Sequence, residues 1–315
     1  MTKNTTDNEA LFGLDDDELF VQATVYDSHL FKDKTVLVSG GGTGIGRGIA
    51  VLFARLGANV VICGRREEQL AETAMLIQDK LGVEVMTHPM SIREPEQVTE
   101  LFDRVWDQYG GLDVLINNAG GQFGQDPMDY STGGWKAVID TNLNGTWYMM
   151  QTAARCWRDA EQPGNIINVV VNIHRGSMQA THSVAARAGV VYVSKSVAVE
   201  WAPLNIRVNC ISPGAIASNG LRNYPREAAE KFKYANPMLR AGNVWDIAEA
   251  CAYLGSPASE FISGETLSVD GGYQMRGEVW AAGEPEYFRE GRGARSDAKS
   301  GSKTGQSEEA LDKPE

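Results

Sequence analysis

The residues best suited to chemistry form a turn, Ser39-Gly40-Gly41-Gly42-Thr43-Gly44-Ile45-Gly46. It follows a short apolar run and precedes a segment whose apolar residues Ile49, Ala50, Leu52, Phe53 and Leu56 recur at helical spacing. Glycines at that density let the backbone turn sharply and approach an anion, while the first amides of the following helix point at it. The chemistry supported is pyrophosphate binding, with Gly40, Thr43, Gly44, Ile45 and Gly46 as candidate contacts. A flexible loop has the same composition, and the placement between strand and helix separates the two. The next apolar run ends in Cys63-Gly64-Arg65-Arg66. A carboxylate there would accept from a ribose 2′-hydroxyl, whereas two guanidinium groups suit a 2′-phosphate. The expected cofactor is therefore NADP(H), bound through Arg65 and Arg66. The alternative is that the pair merely opens a solvated helix.

Holding such a turn requires a sheet. Runs rich in Val and Ile recur at Thr35–Ser39, Asn59–Cys63, Val83–His88, Val114–Asn117, Asn165–Val171, Arg207–Ile211 and Thr266–Val269, separated by segments of helical period. Strands without polar alternation are those of a parallel sheet covered on both faces. The order predicts an α/β fold: a doubly wound, seven-stranded parallel sheet of Rossmann type in a single domain over residues 31–276. Residues 1–30 read as a mobile N-terminal arm with a short amphipathic piece. Residues 277–315 read as a largely disordered extension, most clearly from Arg292 onward, where the chain is polar and lacks aromatics.

A net charge of −12 and a pI near 4.9 argue against nucleic acid as a partner. Cys63, Cys156, Cys210 and Cys251 are scattered, so they read as reduced thiols with no metal site. No stretch approaches the ~18 uninterrupted apolar residues of a membrane span, and the acidic start is no secretory signal. The compartment expected is the cytoplasm.

The ordered set Gly40-x3-Gly44-x-Gly46, Asn117-Asn118-Ala119-Gly120, Asn142, Pro213-Gly214 and Asp270-Gly271-Gly272 resembles the short-chain dehydrogenase/reductase family over roughly residues 32–275. The resemblance implies that Asn118, Ala119 and Gly120 line the adenine side, with Ser91 and Ile92 near the adenine itself. It places Pro213, Gly214, Ile216 and Ser218 at the nicotinamide end. It also implies a homotetramer, with Tyr192 on the helix surface used for contacts between subunits, and a substrate lid over Asn219–Pro237.

The family's catalytic Tyr-x3-Lys falls on Ser183 and Arg187, its catalytic serine falls near Asn172, and its asparagine is retained as Asn142. The pattern around His182 and Ser183 is similar to the trans-2-enoyl-CoA and 2,4-dienoyl-CoA reductase branch, which implies reduction of a carbon–carbon double bond conjugated to a thioester. Chemistry points the same way. Hydride addition to a ketone makes a basic alkoxide that needs an acid such as tyrosine, whereas an enoyl thioester gives a delocalised enolate that aligned donors can hold. In this reading Arg187 binds the nicotinamide ribose and favours the enolate, Ser183 donates to the thioester oxygen, and Asn142 or Asn144 holds a water that relays the proton. His182, more than His174, is the candidate acid, against the plainer reading of an ordinary hydrogen-bonded histidine. Two alternatives stand beside it: an alcohol or 3-ketoacyl dehydrogenase, and a non-catalytic subunit of a hetero-oligomer.

Overall fold

The computed structural model describes residues 13–218 and 226–275. Within them, β1 (Thr35–Ser39), β2 (Asn59–Gly64), β3 (Val85–Pro89), β4 (Val114–Asn117), β5 (Gly164–Val169), β6 (Ile206–Pro213) and β9 (Thr266–Val269) form one sheet in the order β3-β2-β1-β4-β5-β6-β9. Every pairing is parallel. A second, two-stranded sheet joins β7 (Ile216–Ala217) to β8 (Gly242–Asn243). The seven runs read from the sequence are the seven strands of the main sheet.

Because successive side chains point to opposite faces, each strand feeds two cores. Val36, Val38, Val60 and Ile62 pack with α2 (Gly44–Arg55), α3 (Glu67–Leu81) and α8 (Val244–Gly255). Leu37, Val61, Leu115 and Ile166 pack on the other face with α4 (Pro95–Tyr109), α6 (Thr146–Asp159) and α7 (Thr181–Glu200). The chain runs outward from β1 to β3 and returns to β4, so the strand order reverses between β1 and β4. Ligands of such sheets lie outside the carboxyl ends of the strands at that point.

Boundaries shift where packing overrides composition. β5 stops at Val169, two residues before the Val run ends, because Val170 turns into a separate small cluster with Val190, Val191 and Cys210 under α7. β6 runs two residues further than expected, and its last residue, Pro213, pairs with Val269 at the final position of that ladder. The arm expected to be mobile is docked from Gly13 onward: α1 (Asp16–Val21) carries an Asp15–Glu18 capping box and buries Leu19 in the first core. Residues 1–12, the first part of the expected lid with Leu221 and Tyr224, and the extension 277–315 lie outside the described residues.

A buried polar chain fixes α7 to the sheet. Asn117 Nδ2 donates to Asn168 Oδ1 at 2.9 Å, Asn168 Nδ2 donates to Ser194 Oγ at 2.9 Å, and Ser194 Oγ donates to the Val190 carbonyl at 2.7 Å. Buried amides are costly unless paired, so this chain specifies one seating of the helix that carries Ser183 and Arg187.

Candidate active site

The glycine-rich turn leaves β1 at the switch point and enters α2 at Gly44, whose φ of 56° lies in the left-handed region. At Gly46 the requirement is space: a Cβ would stand 2.1 Å from the Gly40 carbonyl oxygen and 2.6 Å from Asn118 Nδ2. Asn118 closes the turn from β4 by donating to the carbonyls of Ser39 at 3.1 Å and Gly40 at 3.3 Å. Ser39 Oγ accepts from the amides of Asn118 and Ala119. The result is a backbone-walled cradle at a helix N-terminus, which fits a dinucleotide pyrophosphate. Arg65 and Arg66 follow the end of β2 as exposed cations, and neither forms an ion pair among the described residues.

Ser91 follows β3, its amide donating to Gln97 Oε1, while the Ile92 side chain is buried against Gly145. Ala119 lends its carbonyl to Arg187. Gly214 backs onto Asp270, where a Cβ would meet its Cα at 2.6 Å. Pro213 ends β6 directly before Gly214, Ile216 opens β7 just after it, and Ser218 lies beside Gly44.

Asn142 lies in a π-helical stretch, Asp140–Gly145, between α5 (Thr132–Ile139) and α6. Such widened turns recur at functional sites. Its side chain is saturated by backbone: Oδ1 accepts from the Gly121 amide at 2.9 Å and Nδ2 donates to the Gly121 carbonyl at 2.9 Å, with a further bond to Ser183 Oγ at 3.3 Å. Asn142 therefore orients the loop after β4 and the Ser183 hydroxyl, leaving the hydroxyl proton available to another acceptor. Asn144 Nδ2 is spent on Asp140 Oδ1 at 2.8 Å.

Ser183 and Arg187, one turn apart on α7, are both buried. Arg187 donates from one terminal nitrogen to the Ala119 carbonyl at 3.1 Å and fills the space beside Gly120, where a Cβ would stand 2.0 Å from it. Its other terminal nitrogen is buried with no partner, and no carboxylate among the described residues pairs with it. Burial pulls this guanidinium down to about 10. An unpaired cation in the interior is expensive and calls for an anionic or strongly polar ligand.

His182 is fully buried, stacked on Tyr130 at 4.5 Å with Phe123 edge-on at 4.5 Å. Its Nδ1 lies 2.8 Å from the Ser183 amide, which also donates to the Ala180 carbonyl at 3.0 Å, and its Nε2 is buried without a partner among the described residues. Burial lowers its pKa, favouring the neutral ring. The unfolded chain then takes up the proton first as pH falls through ~6.5. Stability contributed by the neutral ring is complete above that value and is lost as pH drops toward the folded pKa. Thermal melts should show the wild-type advantage over His182→Gln shrinking from pH 7 to pH 5; a constant difference would mean the ring does not titrate with folding. His174 sits on an exposed loop, and Asn172, the stand-in for the family's serine, donates to Asp270 Oδ2 at 3.2 Å. Tyr192 is 67% exposed and faces away from Ser183 and Arg187.

Sequence reasoning missed Gly121, whose backbone holds Asn142, and the pair Phe123 and Tyr130. The only available signal was two aromatics in the loop directly after β4. The thiols are reduced and, at Cys63, Cys210 and Cys251, buried, with Cys63 pushed up to about 12 and Cys210 to about 11 by desolvation. No helix among the described residues is long and apolar enough to cross a membrane.

Residues 40–274 match the family model described as enoyl-(acyl carrier protein) reductase. The chain is 36% identical over 246 residues to the probable 2,4-dienoyl-CoA reductase of Bacillus subtilis, covering 76% of this chain and 96% of that protein. It is also 36% identical over 245 residues to a 3-oxoacyl-[acyl-carrier-protein] reductase of Chlamydia muridarum, covering 77% and 98%. Among solved structures, the citronellol catabolism dehydrogenase of Pseudomonas aeruginosa superposes with a TM-score of 0.72 at 33% identity, covering 80% of this chain and all of that one. Sheet order, glycine cradle and these similarities agree: the chain belongs to the short-chain dehydrogenase/reductase family of oxidoreductases, whose cofactor is a nicotinamide dinucleotide.

Proposed function

We propose that this protein uses NADPH to reduce the carbon–carbon double bond of an enoyl- or dienoyl-CoA thioester. The observation that carries the reading is the buried, unpaired terminal nitrogen of Arg187, one turn from a Ser183 hydroxyl whose lone pair is already engaged by Asn142. The bound reduced nicotinamide supplies the hydride. Negative charge then develops on the thioester oxygen, and the chain's donors are arranged for it: Ser183 Oγ–H donates to that oxygen, and the fixed charge of Arg187 favours the enolate without moving a proton. The neutral His182 ring holds no spare proton, so the proton that completes the reduction comes from water. Asn142 keeps Ser183 and the Gly121 loop in place. Arg65 and Arg66 take the 2′-phosphate, which is what favours NADPH over NADH.

A phenol at position 183 would suit carbonyl chemistry, and its absence weighs against the 3-oxoacyl reduction named for the Chlamydia relative. A homotetramer, through the outward face of α7 that carries Tyr192, completes the reading. The test is NADPH oxidation with trans-2-enoyl-CoA and 2,4-dienoyl-CoA esters, run beside 3-ketoacyl-CoA. Turnover of the unsaturated esters at a rate well above the ketoester is expected. Preference for the ketoester would replace this reading with a dehydrogenase, and NADPH binding without turnover of any ester would leave the non-catalytic subunit.

A further inference from the structure

The N-terminal segment does more than cover the core. Arg47, in the first turn of α2, is buried, yet its guanidinium meets four groups through five contacts. It pairs with Asp16 Oδ1 of α1 at 2.8 Å and Glu72 Oε1 of α3 at 3.1 Å. It donates to the Gly42 carbonyl from Nε at 3.3 Å and from a terminal nitrogen at 3.0 Å, and to Thr73 Oγ1 at 3.0 Å. Thr73 Oγ1 donates to that same carbonyl at 2.9 Å. Three donors thus hold one carbonyl of the glycine-rich turn toward the interior. In a trans peptide the C=O and the following N–H point in opposite directions, so the Thr43 amide is turned to the exposed side of the turn, where the cradle lies.

The same segment touches the other end of the groove. Gly13, at φ 102°, lies against the strand that leads to Ser218: a Cβ there would stand 2.5 Å from the Ala217 carbonyl oxygen. Between the two ends, Leu19 is buried, its carbonyl accepts from Arg55, and Asp17 pairs with Lys80. Further along, Trp245 Nε1 donates to the Ala23 carbonyl.

We propose that residues 13–21 form a strap that sets dinucleotide affinity, with Asp16 as a positioning residue acting through Arg47 on the Gly42–Thr43 peptide. Glu72 alone leaves half of the Arg47 fork without a carboxylate, and an arginine so freed turns toward solvent and releases the Gly42 carbonyl. The strap and the cradle are then one unit: ordering the first orders the second. The inference rests on the dinucleotide reading of the cradle.

The experiment is a fluorescence titration of the full chain with NADPH and with NADH, paired with thermal melts and with hydrogen–deuterium exchange of the peptide covering residues 40–48 in the absence of cofactor. Asp16→Ala should weaken NADPH about tenfold, the scale of one charge-assisted hydrogen bond, and should speed exchange in that peptide. Asp16→Glu should restore most of the affinity. Lys80→Ala, which breaks the exposed pair on the same strap, should leave it unchanged. Asp16→Ala combined with Arg47→Met should be no weaker than Arg47→Met alone. Unchanged affinity and exchange in Asp16→Ala, with only a lower melting temperature, would reduce the strap to packing and overturn the proposal. A wild-type chain that binds neither dinucleotide would instead overturn the cradle reading, a result visible before any variant is made.

Discussion

Gly46→Ala is expected to weaken dinucleotide binding by about 10- to 100-fold while Gly133→Ala leaves it intact. The added methyl at position 46 would stand 2.1 Å from the Gly40 carbonyl oxygen and 2.6 Å from Asn118 Nδ2. Neither neighbour is a flexible side-chain end that can swing aside. The carbonyl belongs to the turn itself, and the Asn118 amide is the clamp that holds Ser39 and Gly40. Relief therefore comes from moving the turn away from α2, which opens the cradle and breaks the clamp together. Overpacking costs roughly 1–3 kcal/mol, and here it falls on the backbone that would contact the pyrophosphate, so affinity should drop by about 10- to 100-fold. At Gly133, in α5, nothing lies within 4 Å of the added methyl, and alanine suits a helix better than glycine. Titration of NADPH against both variants, with circular dichroism to establish folding, checks the contrast. Wild-type affinity in folded Gly46→Ala would mean that the dinucleotide does not use this turn.

The contrast also shows what the sequence makes legible. The sheet could be read because parallel strands buried on both faces are written as continuous Val and Ile runs, and Val36-Leu37-Val38 needs no alternation when both faces are core. The cradle could be read because its glycines answer to local backbone requirements. Strand ends were less legible: the decision to stop β5 at Val169 is made by Val190, Val191 and Cys210, far away in sequence. The docking of α1 was hidden for the same reason. Four consecutive acidic residues, Asp15 to Glu18, look like a solvated arm, and only the fold reveals that Asp16 and Asp17 meet Arg47 and Lys80. Within the site, Ser183, Arg187 and Asn142 could be placed by motif position, but their state could not. Saturation of Asn142 by Gly121, the orphaned Arg187 nitrogen and the burial of His182 against Phe123 and Tyr130 are tertiary facts, set by which groups arrive at each side chain.

Those tertiary facts make Arg187 the most informative catalytic substitution. Arg187→Ala should lower kcat by about 100- to 1,000-fold, the usual effect of removing one donor to a developing oxyanion. Its NADPH affinity should also weaken if the same guanidinium holds the ribose. The cavity left beside Gly120 complicates the alanine variant, so Arg187→Met is its companion, filling most of the volume without charge. Arg187→Lys should recover only part of the rate. A lysine ammonium keeps the charge, but as a point donor it cannot hold the Ala119 carbonyl and reach the ligand with the geometry of a planar fork. Ser183→Ala isolates the other donor and should reduce kcat with little change in NADPH affinity. Measured together, kcat, KM for the thioester and NADPH affinity separate three roles. Loss of kcat in both Arg187→Met and Ser183→Ala supports the paired-donor reading. Retention of kcat in Arg187→Met would make Arg187 a space-filler under Gly120. Unchanged turnover in both Ser183→Ala and Arg187→Ala would move the chemistry away from these two donors, to His182 at the start of α7 and the aromatic loop of Phe123 and Tyr130 packed against it.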